Sequence, residues 1–406
     1  MSSQVVVTGI GALSPNGFGT EEFWDATLAS KSGIGRITRF DPRQYPAQLA
    51  GEIDGFSAEE HLPSRLLPQT DRMTQLALVG ADHALADADV DPRQGDAYGM
   101  GVMTASTSGG FEFGQEQLKN LWSKGSQYVS AYQSFAWFYA VNTGQISIRH
   151  GMRGPSGVVV GDQAGGLDAL AHARRLVRKG SDLILSGGVD AAICPWGWAA
   201  QLTSGRLSTA DQPERAYLPF DAEACGHVPG EGGALLILEE AEAARRRGAR
   251  QVYGELAGYG STFDPRPGSG RPPGLRTAIE VALDDAGVRP GDIDVVLADA
   301  AGVVDLDREE AEAINGVFGA GAVPVTAPKT MTGRLGSGAG PLDVATALLA
   351  LRDGVIPPTA HVVPSAAYGL DLVTEPRRTA LATALVLARG HGGFNSALVL
   401  RSGART

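Results

Sequence analysis

The sequence predicts an α/β protein built from two related halves, each with helices layered against strands. The first indication is an internal repeat, because AGGLDALAHARRLVRKG at residues 164–180 is echoed by AGPLDVATALLALRDG at residues 339–354. The second indication is the order of the flanking segments, since a β-branched stretch and a Gly-rich turn precede each copy. A repeated strand, turn and helix is typical of a duplicated, layered fold.

Small and apolar residues recur at helical spacing in both copies, which predicts two buried helices. These residues are Leu167, Leu170, Ala171 and Val177 in the first copy and Leu342, Ala345 and Leu349 in the second. β-Branched residues predict strands before the helices, at 158–160 and 323–326. Further strands are predicted after them, at 183–185 and 355–356. Each half then reads as strand, turn, buried helix and strand.

Other segments extend this pattern. QVVVTGIGALSPNG at 4–17 opens with a strand, and QVYGELAGYGSTFD at 251–264 contains another. ARRRGARQ at 244–251 reads as a helix end, because basic side chains favour the negative end of the helix dipole. DPRPGSGRPP at 264–273 reads as a loop, and we take it as a mark of the boundary between the halves.

Composition narrows the functional classes. The 406 residues carry a net charge of −11, which argues against nucleic acid or an anionic membrane surface as the main partner. There are 55 glycines, whereas average usage gives about 28, so we expect many tight turns and close backbone contacts. No basic residue precedes Lys31 and no apolar run is long enough to cross a bilayer, so we expect a cytoplasmic protein.

The cysteines and histidines do not indicate a metal site or a disulfide framework. Cys194 and Cys225 are the only cysteines, and the seven histidines have no ligand-like spacing. Cys194 lies in AAICPWGW, where we predict no helix beginning directly after it. We therefore expect a buried, unreactive thiol there rather than a nucleophile.

Gln163 lies at the turn where the strand at 158–160 leads into the first repeated helix. Backbone N–H groups at a helix N-terminus stabilise a thiolate or an oxyanion, so a nucleophile is expected at such a turn. An amide cannot act as a nucleophile in acyl transfer. The turn therefore has the form of a catalytic site without its reactive atom.

Four segments together resemble the β-ketoacyl synthases of the thiolase fold, in order and over nearly the whole chain. They are VTGIGALSPNG at 7–17, LPFDAEACGHVPGEGG at 218–233, KTMTGRLGSGAG at 329–340 and GHGGFNSALVL at 390–400. The resemblance implies a thiolase-like fold of two duplicated layered α/β halves, written αβαβα. We place an N-terminal ketosynthase-like half at residues 1–252 and a C-terminal half at 253–406.

The resemblance also implies that the catalytic groups have been replaced. Condensing enzymes hold the acyl chain on a cysteine thiolate and use two histidines to stabilise the enolate formed by decarboxylation. Gln163 stands in place of the cysteine, Ala301 in place of the first histidine, and Arg334 in place of the second. Because all three groups are absent from an otherwise intact scaffold, we expect no catalytic residues, and we expect Arg334 to pair with a carboxylate.

Other parts of the family pattern are present. Lys329 matches the family's lysine loop, and Gly392 and Gly393 match its closing oxyanion turn, where His391 replaces an aromatic residue. GDQAGGLDAL and SFAWFYAVNTGQISIRHGMRGP resemble chain length factors, the ketosynthase β subunits of aromatic type II polyketide synthases. That resemblance implies a heterodimer with a catalytic ketosynthase, an acyl carrier protein as a further partner, and no cofactor.

Two enzymatic alternatives stay open at this point. In the first, the amide of Gln163 mimics an acyl carbonyl and the chain decarboxylates malonyl groups on the carrier protein, which generates an acetyl starter. We favour instead a hydrogen-bonded side chain that fills the former site, because a buried polar group must find partners. In the second alternative, Cys194 or Cys225 serves as the nucleophile of an active condensing enzyme.

The segment FEFGQEQL at 111–118 bears on product length. Phe111, Gly114 and Leu118 are spaced three and four apart, so on a helix they share one face. In chain length factors the matching positions line the far end of the polyketide pocket, and Phe135 and Trp196 match other positions near it. A single bulky phenylalanine in the trio implies a product longer than an octaketide, of the decaketide class, unless Gly114 only eases helix packing.

Overall fold

The computed structural model describes residues 3–266 and 268–403. The strands are β1 (Val5–Ser14), β2 (Gly17–Phe18), β3 (Ile34–Arg36), β4 (Leu49–Gly51), β5 (Met100–Ser106), β6 (Gly157–Val160), β7 (Leu183–Asp190), β8 (Gly232–Glu240), β9 (Gly254–Phe263), β10 (Val295–Leu297), β11 (Pro324–Thr326), β12 (Val355–Ile356), β13 (Asp371–Leu372), β14 (Arg377–Arg378), β15 (Thr383–Gly390) and β16 (Phe394–Ser402). The helices are α1 (Thr20–Leu28), α2 (Ala58–His61), α3 (Arg72–Asp87), α4 (Phe111–Lys124), α5 (Gln133–Ala136), α6 (Val141–His150), α7 (Gln163–Arg178), α8 (Pro195–Leu202), α9 (Ala241–Arg246), α10 (Leu275–Ala286), α11 (Val304–Phe318) and α12 (Ala339–Asp353). No helix in these ranges has both the length and the apolar character needed to cross a membrane.

The strand order confirms the predicted duplication. The main sheet runs β13-β11-β10-β15-β16-β9-β1-β8-β7-β5-β6. Outward from the central β9–β1 pair, the order β1-β8-β7-β5-β6 on one side matches β9-β16-β15-β10-β11 on the other. The two repeated helices, α7 and α12, follow the matching strands β6 and β11. The fold is therefore a layered α/β architecture with an internal pseudo-repeat, as the sequence predicts.

The two repeated helices pack directly against each other in the interior, and every residue predicted for their buried faces is buried. Gly166 on α7 permits this approach, because a Cβ there would lie 2.3 Å from both Pro341 Cδ and Ser337 O. Gly340 on α12 has a similar role, since its Cβ would lie 3.1 Å from Leu167 Cγ. The glycines in the two copies of the repeat thus let the helices form one central layer.

Two details of the predicted organisation are wrong. The strand at 355–356 forms, but it pairs with β14 in a separate two-stranded sheet, and β15 takes the place that corresponds to β7. A short apolar run indicates a strand without indicating its partner, which depends on distant residues. The loop at 264–273 lies between β9 and α10, and β9 pairs with β16, so this loop lies within the second half of the sheet. Pro267 in that loop is outside the described residues.

Candidate functional site

A cavity of about 1000 Å³ lies where the ends of β6, β7 and β10 face the turn between β15 and β16. Side chains that are far apart in the sequence meet on its wall. Among them are the residues identified as replacements for catalytic groups and the residues of the closing turn, namely Gln163, Ala301, Arg334, His391, Gly392 and Gly393. The parallel strands of both halves end at this cavity, which is where ligands bind in open α/β sheets.

Gln163 is the first residue of α7 and is 4% exposed. Its Nε2 donates to Asp162 Oδ1 over 3.3 Å, while its buried Oε1 has no hydrogen-bond partner among the described residues. Asp162 also accepts a bond of 3.3 Å from the backbone N–H of His391. The expected hydrogen-bonded side chain is thus only half satisfied, with its acceptor oxygen buried in the cavity wall.

Arg334 forms a buried ion pair with Asp299, as expected from its sequence context. Its guanidinium reaches both carboxylate oxygens of Asp299 at 3.0 and 3.1 Å and donates to the carbonyls of Asp299 at 2.8 Å and Ala300 at 3.3 Å. Burial alone would raise the pKa of Asp299, but the charges of Arg334 and Lys329 hold it below its usual value. The guanidinium is therefore a fixed cation with no proton to exchange.

Lys329 lies behind the cavity wall and is buried. Its Nζ donates to the carbonyl oxygens of Ala298 at 2.8 Å and Asp299 at 3.1 Å and lies 2.7 Å from Asp343 Oδ2. Asp343 belongs to the second copy of the repeat, on α12. The lysine thus ties the end of β10 to the central helix layer.

Ala301 follows β10 and presents a methyl group where a histidine would present a ring nitrogen. The neighbouring imidazole is His227, which lines the same cavity and which the sequence did not single out. Burial, followed by the charge of Arg334, lowers the pKa of His227 to about 3. This imidazole is neutral near pH 7 and cannot supply a positive charge to an enolate. His227 reaches the cavity because of the way residues 218–233 fold. The spacing of residues along the chain does not predict that fold.

Cys194 corrects one expectation. It is the N-cap of α8, which begins at the next residue, and its Sγ accepts from Gly197 N over 3.4 Å. The prediction that no helix follows was wrong. Pro195 occupies the first position of α8, which proline favours because an N–H group there would have no partner within the helix. The thiol is still buried, and burial raises its pKa to about 11, so it is not poised for nucleophilic attack. Cys225 is exposed.

The residues matched to the chain-length pocket lie on α4, α5 and α8. Phe111 lines the cavity, and its ring centroid lies 4.6 Å from that of Trp196. Gly114 is buried beneath the Trp196 ring, and Leu118 faces outward on the same helix. Phe135 on α5 packs against the core of the N-terminal half. In the described single chain, Phe111 therefore faces the cavity while Leu118 points to a surface that a partner could cover.

The fold defines a member of the β-ketoacyl synthase family, and the three residues predicted to replace the family's nucleophile and two histidines lie together in this cavity. Residues 2–244 match the family model "Beta-ketoacyl synthase, N-terminal domain", and residues 253–363 match "Beta-ketoacyl synthase, C-terminal domain". The chain belongs to the β-ketoacyl synthase family, and within it to the ketosynthase β subunits, or chain length factors, of type II polyketide synthases.

One curated relative and two solved structures illustrate the similarity. The "Tetracenomycin polyketide synthase ketoacyl synthase beta subunit" of Streptomyces glaucescens is 63% identical over 400 residues, 98% of each chain. A structure described as "The ishigamide ketosynthase/chain length factor" has a TM-score of 0.90 at 27% identity and covers all of both chains. A type II acyl-carrier protein complex with its ketosynthase, AntDE:AntF, has a TM-score of 0.88 at 27% identity and covers 99% of this chain and 100% of that chain. These likenesses confirm the thiolase-like fold.

Proposed function

We propose that this chain is the non-catalytic partner of an active ketosynthase and that it limits the length of the polyketide made by the pair. One observation carries the proposal: a single cavity contains Gln163, Ala301 and Arg334, the residues predicted to replace the three catalytic groups. Arg334 is paired with Asp299 and the nearby His227 is neutral, so neither of these two groups offers an unpaired positive charge in place of the missing histidines.

An open sheet edge and exposed apolar side chains support the heterodimer. β6 is the end strand of the main sheet, with no strand on its outer side in the described residues. Val160 on β6 is exposed, and so are large side chains on α4, α8 and the segment 126–138, namely Leu118, Trp122, Tyr128, Tyr132, Trp137, Phe138 and Trp196. Large exposed apolar side chains in such number are typical of a protein interface. We propose that a ketosynthase pairs along β6 and covers these side chains, as the name of the ishigamide relative suggests.

We also propose an acyl carrier protein as the second partner, in line with the AntDE:AntF complex. Carrier proteins are acidic, and this chain has a net charge of −11, so the two repel at long range. Carrier docking is therefore expected mostly on the catalytic subunit.

Product length is proposed to depend on the face of α4 that carries Phe111, Gly114 and Leu118. Phe111 is the one bulky residue of the three that lines the cavity. Gly114 contributes no side chain, so the Trp196 ring lies directly on the helix there. We propose that the cavity space beside Phe111 holds a product longer than an octaketide, most simply of the decaketide class, because no second bulky residue of this trio lines it.

Filling that space is expected to shorten the product. In the complex with its ketosynthase, Gly114→Thr with Leu118→Phe should remove whole two-carbon units from the main product, as read by mass. The reason is steric. A Cβ added at Gly114 would lie 3.0 Å from Trp196 Cζ3, so a threonine there must displace the indole ring. The matched control is Val281→Phe, which adds bulk at an exposed site on α10. An unchanged product mass in an assembled, active complex would refute this role of α4.

The isolated chain is expected to show no condensation and little decarboxylation of malonyl carrier protein. The decarboxylase alternative has one observation in its favour, the buried Oε1 of Gln163, which has no hydrogen-bond partner among the described residues. The chain lacks the two histidines. The methyl group of Ala301 and the guanidinium of Arg334, which is paired with Asp299, cannot take their place. The measurement is release of carbon dioxide by the purified chain, with Gln145→Ala on helix α6 as the control. Release that is lost in Gln163→Ala and kept in Gln145→Ala would establish the enzymatic alternative instead.

A further inference from the structure

Helices α4 and α8 are joined by one hydrogen bond between a side chain and the main chain. The N–H of Trp196 donates to Oε1 of Gln115 over 2.6 Å. Trp196 lies in the first turn of α8, where N–H groups have no acceptor within their own helix. The N-cap residue Cys194 supplies only a weak acceptor, its sulfur, to Gly197. Gln115 therefore provides α8 with a cap oxygen from a neighbouring helix.

The side chain of Trp196 is held by the same helix that holds its main chain. Its ring centroid lies 4.6 Å from that of Phe111, and its Cζ3 lies 3.0 Å from the point that a Cβ on Gly114 would occupy. Phe111, Gly114 and Gln115 lie within five consecutive residues of α4. A shift of α8 along α4 would thus change the position of the indole over both the phenylalanine and the glycine.

Both helices also contribute to the cavity. Phe111 at the start of α4 lines it, and so do Ala200 and Gln201 near the end of α8. The spacing between α4 and α8 therefore sets the width of this part of the wall. A residue that fixes the distance between α4 and α8 therefore influences the shape of the cavity without contacting the bound polyketide.

The start of α4 has its own anchors, which do not involve α8. Asp71, buried at the N-cap of α3, accepts from Phe113 N over 2.8 Å. Glu112 forms an ion pair with Arg39. These contacts hold α4 against the body of the protein whether or not Gln115 is present. Loss of the Gln115 acceptor should consequently loosen the start of α8 around Trp196 and leave α4 in place, while buried Trp198 still holds α8 through the bond from its Nε1 to Ala47 O at 3.0 Å.

We propose that Gln115 is a positioning residue for chain-length selection. Its acceptor oxygen holds the start of α8, keeps Trp196 seated on Gly114 and Phe111, and so fixes the end of the cavity. This inference rests on the proposed function, because it concerns how the same wall sets product length.

The test compares three variants in the complex with the ketosynthase and the carrier protein. Gln115→Met keeps the side-chain length and removes the acceptor, Gln115→Asn keeps an amide that is too short to reach, and Gln115→Glu keeps an acceptor at full length. We expect the first two to change the ratio of the two main product lengths by about fivefold, the effect of one net hydrogen bond. Gln115→Glu should keep the wild-type ratio, since a carboxylate also suits a helix N-terminus.

Total turnover and heterodimer formation are measured alongside, because a merely structural defect lowers both without changing the ratio of products. An unchanged ratio in Gln115→Met and Gln115→Asn overturns the inference, as does an equal shift in all three variants. If Gly114→Thr with Leu118→Phe still shortens the product, only the role of Gln115 fails. If that double variant is also without effect, the proposed function of α4 fails with it.

Discussion

Replacing Arg334 with alanine is expected to destabilise the chain by about 3–5 kcal/mol, the usual effect of breaking a buried ion pair on one side. The guanidinium is 8% exposed and contacts both oxygens of Asp299 at 3.0 and 3.1 Å. Its removal leaves a carboxylate that burial disfavours, with Lys329 and Arg389 as the nearby cations that remain. It also leaves the carbonyl oxygens of Asp299 and Ala300 without this donor.

Chemical denaturation of the chain measures this effect, and two variants control it. Arg276→Ala removes one member of an exposed pair with Glu280, for which we expect less than about 1 kcal/mol. Adding Asp299→Asn to Arg334→Ala should recover part of the loss, because the buried charge then disappears. A free energy of unfolding for Arg334→Ala within about 1 kcal/mol of the wild-type value would contradict the structural role.

The ion pair of Arg334 and Asp299 belongs to a larger set of buried contacts. Asp299 also accepts from Arg389 N, and Glu310 accepts from the main-chain N–H groups of Asp299 and Ala300 at 2.7 and 2.8 Å. Burial, with the nearby charge of Asp299, raises the pKa of Glu310 to about 7. The loop after β10 is thus fixed by a connected set of charges and hydrogen bonds. Such a set rigidifies the cavity wall.

Local patterns carried much of the prediction. The two Ala-Gly-x-Leu-Asp segments identified α7 and α12, because their apolar spacing and flanking glycines are properties of short stretches of sequence. The position of Gln163 at the start of a helix followed from the strand and turn before it. The ordered motifs then located Ala301 and Arg334, which the fold brings into the same cavity.

Features that depend on distant residues were not predicted. Asp299 was not identified as the partner of Arg334, although it lies only two residues before Ala301 in the sequence. His227 lies on the cavity wall because of the fold of the loop that carries it. Its spacing from the other histidines in the sequence did not indicate this position. The contact between Gln115 and Trp196 joins residues 81 positions apart. In each case the residue type could be read from the sequence, but the residue that it contacts in the fold could not.

Replacing Val158 with proline is expected to weaken the heterodimer by about 100-fold or more. β6 is an edge strand that pairs with β5 through one side. The N–H of Gly161 bonds to Ser106 O on β5, so by the alternation of a strand the N–H groups of Val158 and Val160 face the outer edge. A proline at Val158 removes one outward donor and places a ring where the partner's backbone must approach. Loss of a ladder bond with such a clash costs about 3 kcal/mol, or two powers of ten in affinity.

The fold of the chain should tolerate this change, since proline is accepted on edge strands when its nitrogen faces outward. Val158→Thr is the matched control, because it keeps the β-branched shape and the N–H group. Sedimentation of each variant with the ketosynthase measures the affinity, and the melting temperature of the free chain checks its fold. Wild-type affinity in a folded Val158→Pro variant would show that the partner does not pair along β6, and the apolar side chains around Trp137 would then have to carry the interface alone. Loss of affinity in Val158→Thr as well would point to side-chain packing rather than strand pairing.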